Sequence, residues 1–210
     1  MPIELLFIRA DREQIPDEHV EAFGKMCEIN GVRFKHIDIK SQDELKGCLN
    51  GNFKYICFAG HGNSLVFGDE SDFEIDWAAL GQILCSSNCF TFHANILLYC
   101  CEGGLFEVGC TLIESCPKLD FIIGAKHKQN SIDLLNAFNI FIYNIQIKNL
   151  TDEEAAHKAF QATEIDFEHF HRRDREKATG EFICVKCEEF RREFACKPSG
   201  YKQLNSDSAL

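Results

Sequence analysis

Two apolar runs, each closed by glycine and a reactive side chain, constrain this chain more than any other feature. YICFAGHG (55–62) carries His61 between two glycines, and NILLYCCEGG (95–104) carries Cys101 forty residues further on. Four to eight apolar, β-prone residues closed by glycine read as short buried strands. In an open parallel sheet, reactive groups collect at the carboxyl ends of strands, where loops hold them without disturbing the core. A histidine and a cysteine at two such ends make a candidate catalytic dyad.

The rest of the chain supplies the sheet these strands need. IELLFIRA (3–10) reads as a first strand, Asp17 to Asn30 as a helix stopped by Gly31, and VRFKHIDI (32–39) as a second strand. Ser41 with Glu44 starts a short helix, and the third strand ends at His61. SLVFGDESDFEID reads as a small hairpin before a helix from Trp77 to Leu84; the fourth strand ends at Cys101, and Cys116-Pro117 stops the helix that follows. LDFIIGA (119–125) is a fifth strand, Ser131 to Lys148 a helix, and Thr151 to Glu154 opens another that is expected to run towards Arg175. Strands alternating with helices at this rhythm predict an α/β fold, a three-layer α/β/α sandwich around a mostly parallel sheet. Residues 1–179 are expected to form this domain, and 180–210 a cysteine-containing segment and tail.

With 210 residues, 45% of them apolar, the chain has enough material for one such core. Its formal net charge of −11 argues against nucleic acid or an anionic membrane as partner, because phosphate binding draws on clustered Lys and Arg. The one basic run, HRRDR (171–175), reads as a solvated helix face. The start, MPIELLFIRADRE, lacks a basic leader region and its apolar run is too short to insert in a membrane, so a cytoplasmic location is expected. Twelve cysteines scattered through apolar runs are then read as reduced thiols, with Cys57, Cys85, Cys89 and Cys110 as small buried hydrophobes.

A thiol attacks a carbonyl only as thiolate, and a neighbouring imidazole that takes the proton and later returns it to the leaving amine corrects the shortage of thiolate near neutral pH. The tetrahedral intermediate needs N–H donors, for which Gly62 and the backbone N–H of Cys101 are the candidates. A helix starting near Leu105 would favour the thiolate if its axis points at the sulfur. Taken singly, each residue also reads as core packing; the pairing at two strand-to-helix turns is what favours chemistry.

Phe58-Ala59-Gly60-His61-Gly62 followed by Leu97-Leu98-Tyr99-Cys100-Cys101-Glu102-Gly103-Gly104 resembles the caspase-like cysteine peptidases of clan CD, and most closely their CHAT branch. There a strand ending in His-Gly precedes one ending in Ala-Cys-Glu-Thr-Gly. FIIGAKHKQNS (121–131), Phe138 to Ile145, and Glu154 to Ala159 resemble later features of the branch, so the likeness covers roughly residues 50 to 162. It implies His61 as base and Cys101 as nucleophile, with Cys100 the competing sulfur and Gly103 a departure from the family's threonine. It implies a first-subsite pocket drawn from Arg9 or Arg12, Tyr99, and Lys126 to Lys128, whose basic groups lean towards an acidic residue before the scissile bond. It also implies a protein substrate encoded nearby, such as a pore-forming effector in a bacterial immune or cell-death (antiviral defence) system. Activation is then expected from a partner, self-cleavage or dimerisation.

Such an enzyme requires no cofactor. Cys184, Cys187 and Cys196 have part of a zinc spacing, with His169 or His171 as the nearest fourth ligand, so a structural zinc stays open beside reduced thiols. His93 and His127 are expected to be structural or exposed. Two other readings remain: a non-catalytic caspase-like docking module, and a redox or zinc-binding protein.

Overall fold

The structure, a computed structural model, describes residues 3–69, 71 and 73–171 and the backbone of 175–178 and 181–184; of 90–94 it describes the backbone alone. In chain order, β1 (Ile3–Arg9), α1 (Asp17–Ile29), β2 (Val32–Asp38), α2 (Gln42–Cys48) and β3 (Phe53–Ala59) come first. Three short strands follow, β4 (His61–Gly62), β5 (Val66–Gly68) and β6 (Glu74–Asp76), then α3 (Trp77–Ser86), β7 (Phe90–Tyr99), α4 (Phe106–Ser115) and β8 (Leu119–Ala125). After α5 (Ser131–Gln146), α6 (Asp152–Thr163) and β9 (Phe167–His171), an antiparallel pair is formed by β10 (Arg175–Ala178) and β11 (Glu181–Cys184).

The central sheet has the order β2-β1-β3-β7-β8-β9, with the first five strands parallel and β9 antiparallel at the edge. Its inner strands are near-continuous apolar runs because both faces are covered. Leu6, Ile8, Ile56, Phe58, Ile96 and Leu98 point to one core, filled by Leu45 of α2, Leu80 and Leu84 of α3 and Leu112 of α4. Leu5, Phe7, Tyr55, Cys57, Leu97 and Tyr99 point to the other, filled by Phe23 of α1, Phe138 and Phe141 of α5 and Ala155 of α6. This is the three-layer α/β/α sandwich the sequence predicts.

Register aligns the carboxyl ends. Arg9 pairs with Ala59, and Ala59 pairs with Tyr99, so three neighbouring strands finish on one row.

The structure corrects several sequence expectations. The third strand ends at Ala59, and His61 belongs instead to β4, which pairs antiparallel with β5 in a separate three-stranded sheet. β7 ends at Tyr99, so Cys101 sits in the turn beyond it. The last helix does not continue towards Arg175: Glu164 adopts a left-handed φ of 60° as the α6 cap, and the chain returns as β9. Of the run 171–175 expected on a solvated helix face, His171 ends β9 and Arg175 opens β10, while 172–174 lie outside the described residues. Cys110 is disulfide-bonded rather than a reduced packing thiol, while Cys57, Cys85 and Cys89 are free. Cys187 and Cys196 and the side chain of Cys184 lie outside the described residues, as do the tail and the His93 side chain. Among the described residues no helix is long and apolar enough to cross a membrane.

Candidate active site

Asp11, His61 and Cys101 each stand two residues beyond the Arg9–Ala59–Tyr99 row. Three loops leaving adjacent parallel strands at one level thus deliver a carboxylate, an imidazole and a thiol to the same end of the sheet.

His61 is positioned by the β4–β5 ladder, where it pairs with Gly68. That small sheet is pinned in turn: Phe67 is fully buried with its ring 5.7 Å from Phe58, and Trp77 Nε1 donates to the Asn63 carbonyl at 2.9 Å. His61 Nε2 lies 3.3 Å from Asp11 Oδ2. The other carboxylate oxygen, Oδ1, accepts the backbone N–H of Glu13 at 2.8 Å and of Gln14 at 3.0 Å, so Asp11 is oriented by its own loop. A carboxylate on Nε2 fixes the tautomer and leaves Nδ1 as the atom that would exchange a proton with sulfur and leaving group. The sequence reading missed Asp11. Its only signal was a carboxylate immediately after a strand, IRAD, at the level of the other two.

Cys101 occupies a turn in which Glu102 takes a left-handed φ of 57°, and the Gly104 N–H donates to the Ala125 carbonyl at 2.8 Å. Gly62 meets this turn closely: a methyl group there would stand 2.7 Å from the Cys101 carbonyl oxygen and 2.8 Å from Cys100 Sγ. The two candidate oxyanion donors, Gly62 and Cys101, are therefore brought together. α4 begins at Phe106 with Leu105 as its N-cap and no side-chain cap.

Cys100 and Cys101 differ sharply. Cys100 is 1% exposed and burial pushes its thiol far above the ordinary range, with the Cys101 charge acting in the same direction. Its sulfur fills the space beside Gly103, where an added methyl would lie 3.0 Å from Cys100 Sγ and 2.7 Å from Leu98 Cβ. Gly103 and Cys100 are thus complementary in volume. Cys101 is 7% exposed, and the Gln129 N–H donates to its sulfur at 3.5 Å while the thiol reaches the Gln129 carbonyl at 3.6 Å. The loop after β8 therefore covers the sulfur. Sequence reasoning had no signal for this, because the contact is entirely main chain on the loop side.

Of the groups expected in the first-subsite pocket, Arg9, Tyr99 and Lys126 are engaged elsewhere and Arg12 faces the cleft. Arg9 is 1% exposed and turned inward, with Nε 2.6 Å from Asp38 Oδ1, NH2 3.0 Å from Asp38 Oδ2, NH1 2.9 Å from the Ile15 carbonyl, and NH2 2.7 Å from Asp17. Burial opposes its charge, but the bonds to Asp38 and Asp17 more than offset this and its pKa rises. Tyr99 is buried, its hydroxyl donating to the Ser131 carbonyl and its ring stacked on Phe138 at 5.9 Å. Lys126 is paired with Asp166 at 3.4 Å and Glu168 at 3.3 Å. Arg12 alone among these groups lines the cleft beside His61, a space of about 600 Å³ shared with Asp11, Glu13, Lys40 and Asp69, and it is itself 3.1 Å from Asp17. Arg12 and Lys40 are the basic side chains that line this cleft.

No family model matches the sequence, and no curated protein matches it. Solved structures do. The chain is similar to the Arg-specific cysteine proteinase gingipain R (14% identity, TM-score 0.55, 80% of this chain and 46% of the other). It is similar to an inactive zymogen C11 protease from Parabacteroides distasonis (12%, 0.60, 83% and 63%). A complex of Porphyromonas gingivalis RgpB pro- and mature domains also matches (14%, 0.52, 77% and 42%). The chain thus spans between 42% and 63% of the length of these neighbours. The fold is the caspase-like fold of clan CD cysteine peptidases.

Proposed function

We propose that this protein is a thiol endopeptidase in which Cys101 is the nucleophile, His61 the base and Asp11 the group that orients the base. The observation that carries this reading is the common placement of the three residues beyond one ladder row, with His61 Nε2 3.3 Å from Asp11. In the reaction His61 takes the Cys101 proton, the thiolate adds to the scissile carbonyl, and the oxyanion faces the N–H groups of Gly62 and Cys101. His61 then protonates the leaving amine, and water hydrolyses the thioester with His61 as base. This chemistry calls for no metal or other cofactor.

The site is latent in this state. A sulfur bridged by both main-chain groups of Gln129 is closed to a peptide, so an activating partner, a self-cleavage or dimerisation must displace 126–130. The His-Gly and Cys-Glu-x-Gly turns support a CHAT-like branch, and with it a cytoplasmic role in bacterial defence against a companion effector encoded nearby, such as a pore-forming protein. That extension rests on analogy of fold and motif.

The test is co-expression with neighbouring gene products, read by intact-mass spectrometry. A fragment made by wild type and Cys100→Ala but lost with Cys101→Ala and His61→Ala is the expected result. A fragment that persists with Cys101→Ala overturns the assignment, and no fragment from any partner moves the reading to a docking module.

A further inference from the structure

Two thiols that the candidate site does not use meet at the carboxyl ends of α3 and α4. These helices approach closely at Gly81, where an added methyl would stand 2.5 Å from Ser115 Cβ. Cys85 lies one turn further along the same face of α3, and Cys116 follows Ser115 as the C-cap of α4. The side chains touch there: the Cys116 thiol is hydrogen-bonded to that of Cys85. Lys118 Nζ donates to the Cys85 carbonyl at 2.5 Å, which fastens the end of α3 to the turn after α4. Cys116 is at the opposite end of α4 from the Cys101 turn, about 15 Å away along a helix of 10 residues.

Access distinguishes the two sulfurs. Among the described free cysteines, Cys85 is half-buried and the others are buried. Burial pushes the Cys116 thiol up to about 12 against the opposing pull of Lys118, so it keeps its proton until a reaction beside it draws the proton away.

We propose that Cys85 and Cys116 form an oxidant-sensitive thiol pair, in which Cys85 meets a hydroperoxide and Cys116 resolves the product, closing a disulfide between α3 and α4. With hydrogen peroxide, the Cys85 thiolate attacks one oxygen and the O–O bond breaks. The other oxygen leaves as water, taking the proton that Cys85 gave up, and Cys85 becomes a sulfenic acid. The Cys116 sulfur then displaces the sulfenic hydroxyl, and its own proton departs with that hydroxyl as a second water. Two thiols thus lose two electrons to one peroxide, giving one disulfide and two waters. Closure brings the sulfurs from hydrogen-bond reach to a bond of about 2.05 Å, and both residues stand at helix ends, where side-chain rotation and a small backbone shift are least costly. The pair uses neither His61 nor Cys101, so it does not depend on peptide cleavage by this protein.

The test is timed exposure of the folded full chain to stoichiometric hydrogen peroxide, followed by alkylation, non-reducing digestion and peptide mapping. A linked peptide containing Cys85 and Cys116, separated by reductant, is the expected product. Cys116→Ala should strand Cys85 as a sulfenic acid, with capture by dimedone raised about tenfold over wild type. Cys85→Ser, at a half-buried position, should abolish the linked peptide and leave Cys116 as a thiol. A Cys85 that stays fully alkylatable after peroxide, a Cys85 joined to a different cysteine, or equal dimedone capture in wild type and Cys116→Ala each overturns the proposal.

Discussion

Cys101 stands two residues beyond Tyr99, and His61 two residues beyond Ala59, the residue paired with Tyr99 in the β3–β7 ladder. Main-chain register thus sets the two residues at one level, and Asp11 joins them by the same rule through the Arg9–Ala59 pair.

Asp11→Asn keeps an oxygen for the Glu13 and Gln14 amides but replaces the carboxylate facing His61 with an amide. Peptidase turnover is expected to fall by about 10²–10⁴, the range for a base held in the wrong tautomer. The thermal midpoint should stay near that of wild type. Steady-state kinetics on the cleaved partner and a melting curve on the same sample separate the two effects.

Burial raises the Cys27 thiol from an ordinary value of 9.0 to about 12 and Cys48 to about 11. Unfolded chains ionise these thiols first, so the native state holds more protons above pH 9.0. Their stabilising contribution is complete below pH 9 and is lost as pH climbs towards 11 and 12. Urea midpoints should therefore drop through this window under anaerobic conditions. Cys27→Ala should flatten the drop by about 1.4 kcal/mol per pH unit.

Gln129→Pro deletes the N–H that donates to the Cys101 sulfur. A hydrogen bond of this kind contributes up to about 1 kcal/mol, so alkylation of Cys101 should quicken by roughly fivefold. Cys100, buried beneath the same turn, should remain unlabelled until the chain unfolds. Peptide mapping after timed iodoacetamide exposure reads both; an unchanged Cys101 rate would mean that the 126–130 loop does not cover the sulfur in solution.

Arg9→Met removes the donor to Ile15 and to two carboxylates. Because Asp38 and Asp17 keep contact with solvent, the expected loss is about 2–4 kcal/mol, less than for a wholly buried pair. Substrate preference in a peptide library should be unchanged, since Arg9 does not reach the cleft.

Threonine at 103 should not fit while Cys100 fills the adjacent space, and the single Gly103→Thr variant is expected to lose about 1–3 kcal/mol through overpacking. Adding Cys100→Ala should recover part of that loss, and a double-mutant cycle with chemical denaturation measures the coupling.

Much of this molecule was legible locally. The five parallel strands and the Ser41 and Thr151 helix starts follow from patterns within ten residues, as does the position of His61 and Cys101 near the carboxyl ends of β3 and β7, though each strand stops two residues earlier than the pattern suggests. What was not legible depends on pairing at a distance. Asp11 acquires a role only through register with a strand fifty residues later, and Arg9 faces inward only because parity puts it there. FEHFH supports either period, and the left-handed Glu164 decided for a strand.

Placement by register has a consequence for the life of the chain before it is fully folded. In a strand, a slip of one residue turns each side chain to the opposite face. A molecule with β3 misaligned against β7 would set the segments that carry His61 and Cys101 at different levels, and one with β1 misaligned would do the same to Asp11 and His61. Under the proposed function, competence to cut would therefore report correct assembly of these two ladders as well as displacement of the 126–130 loop.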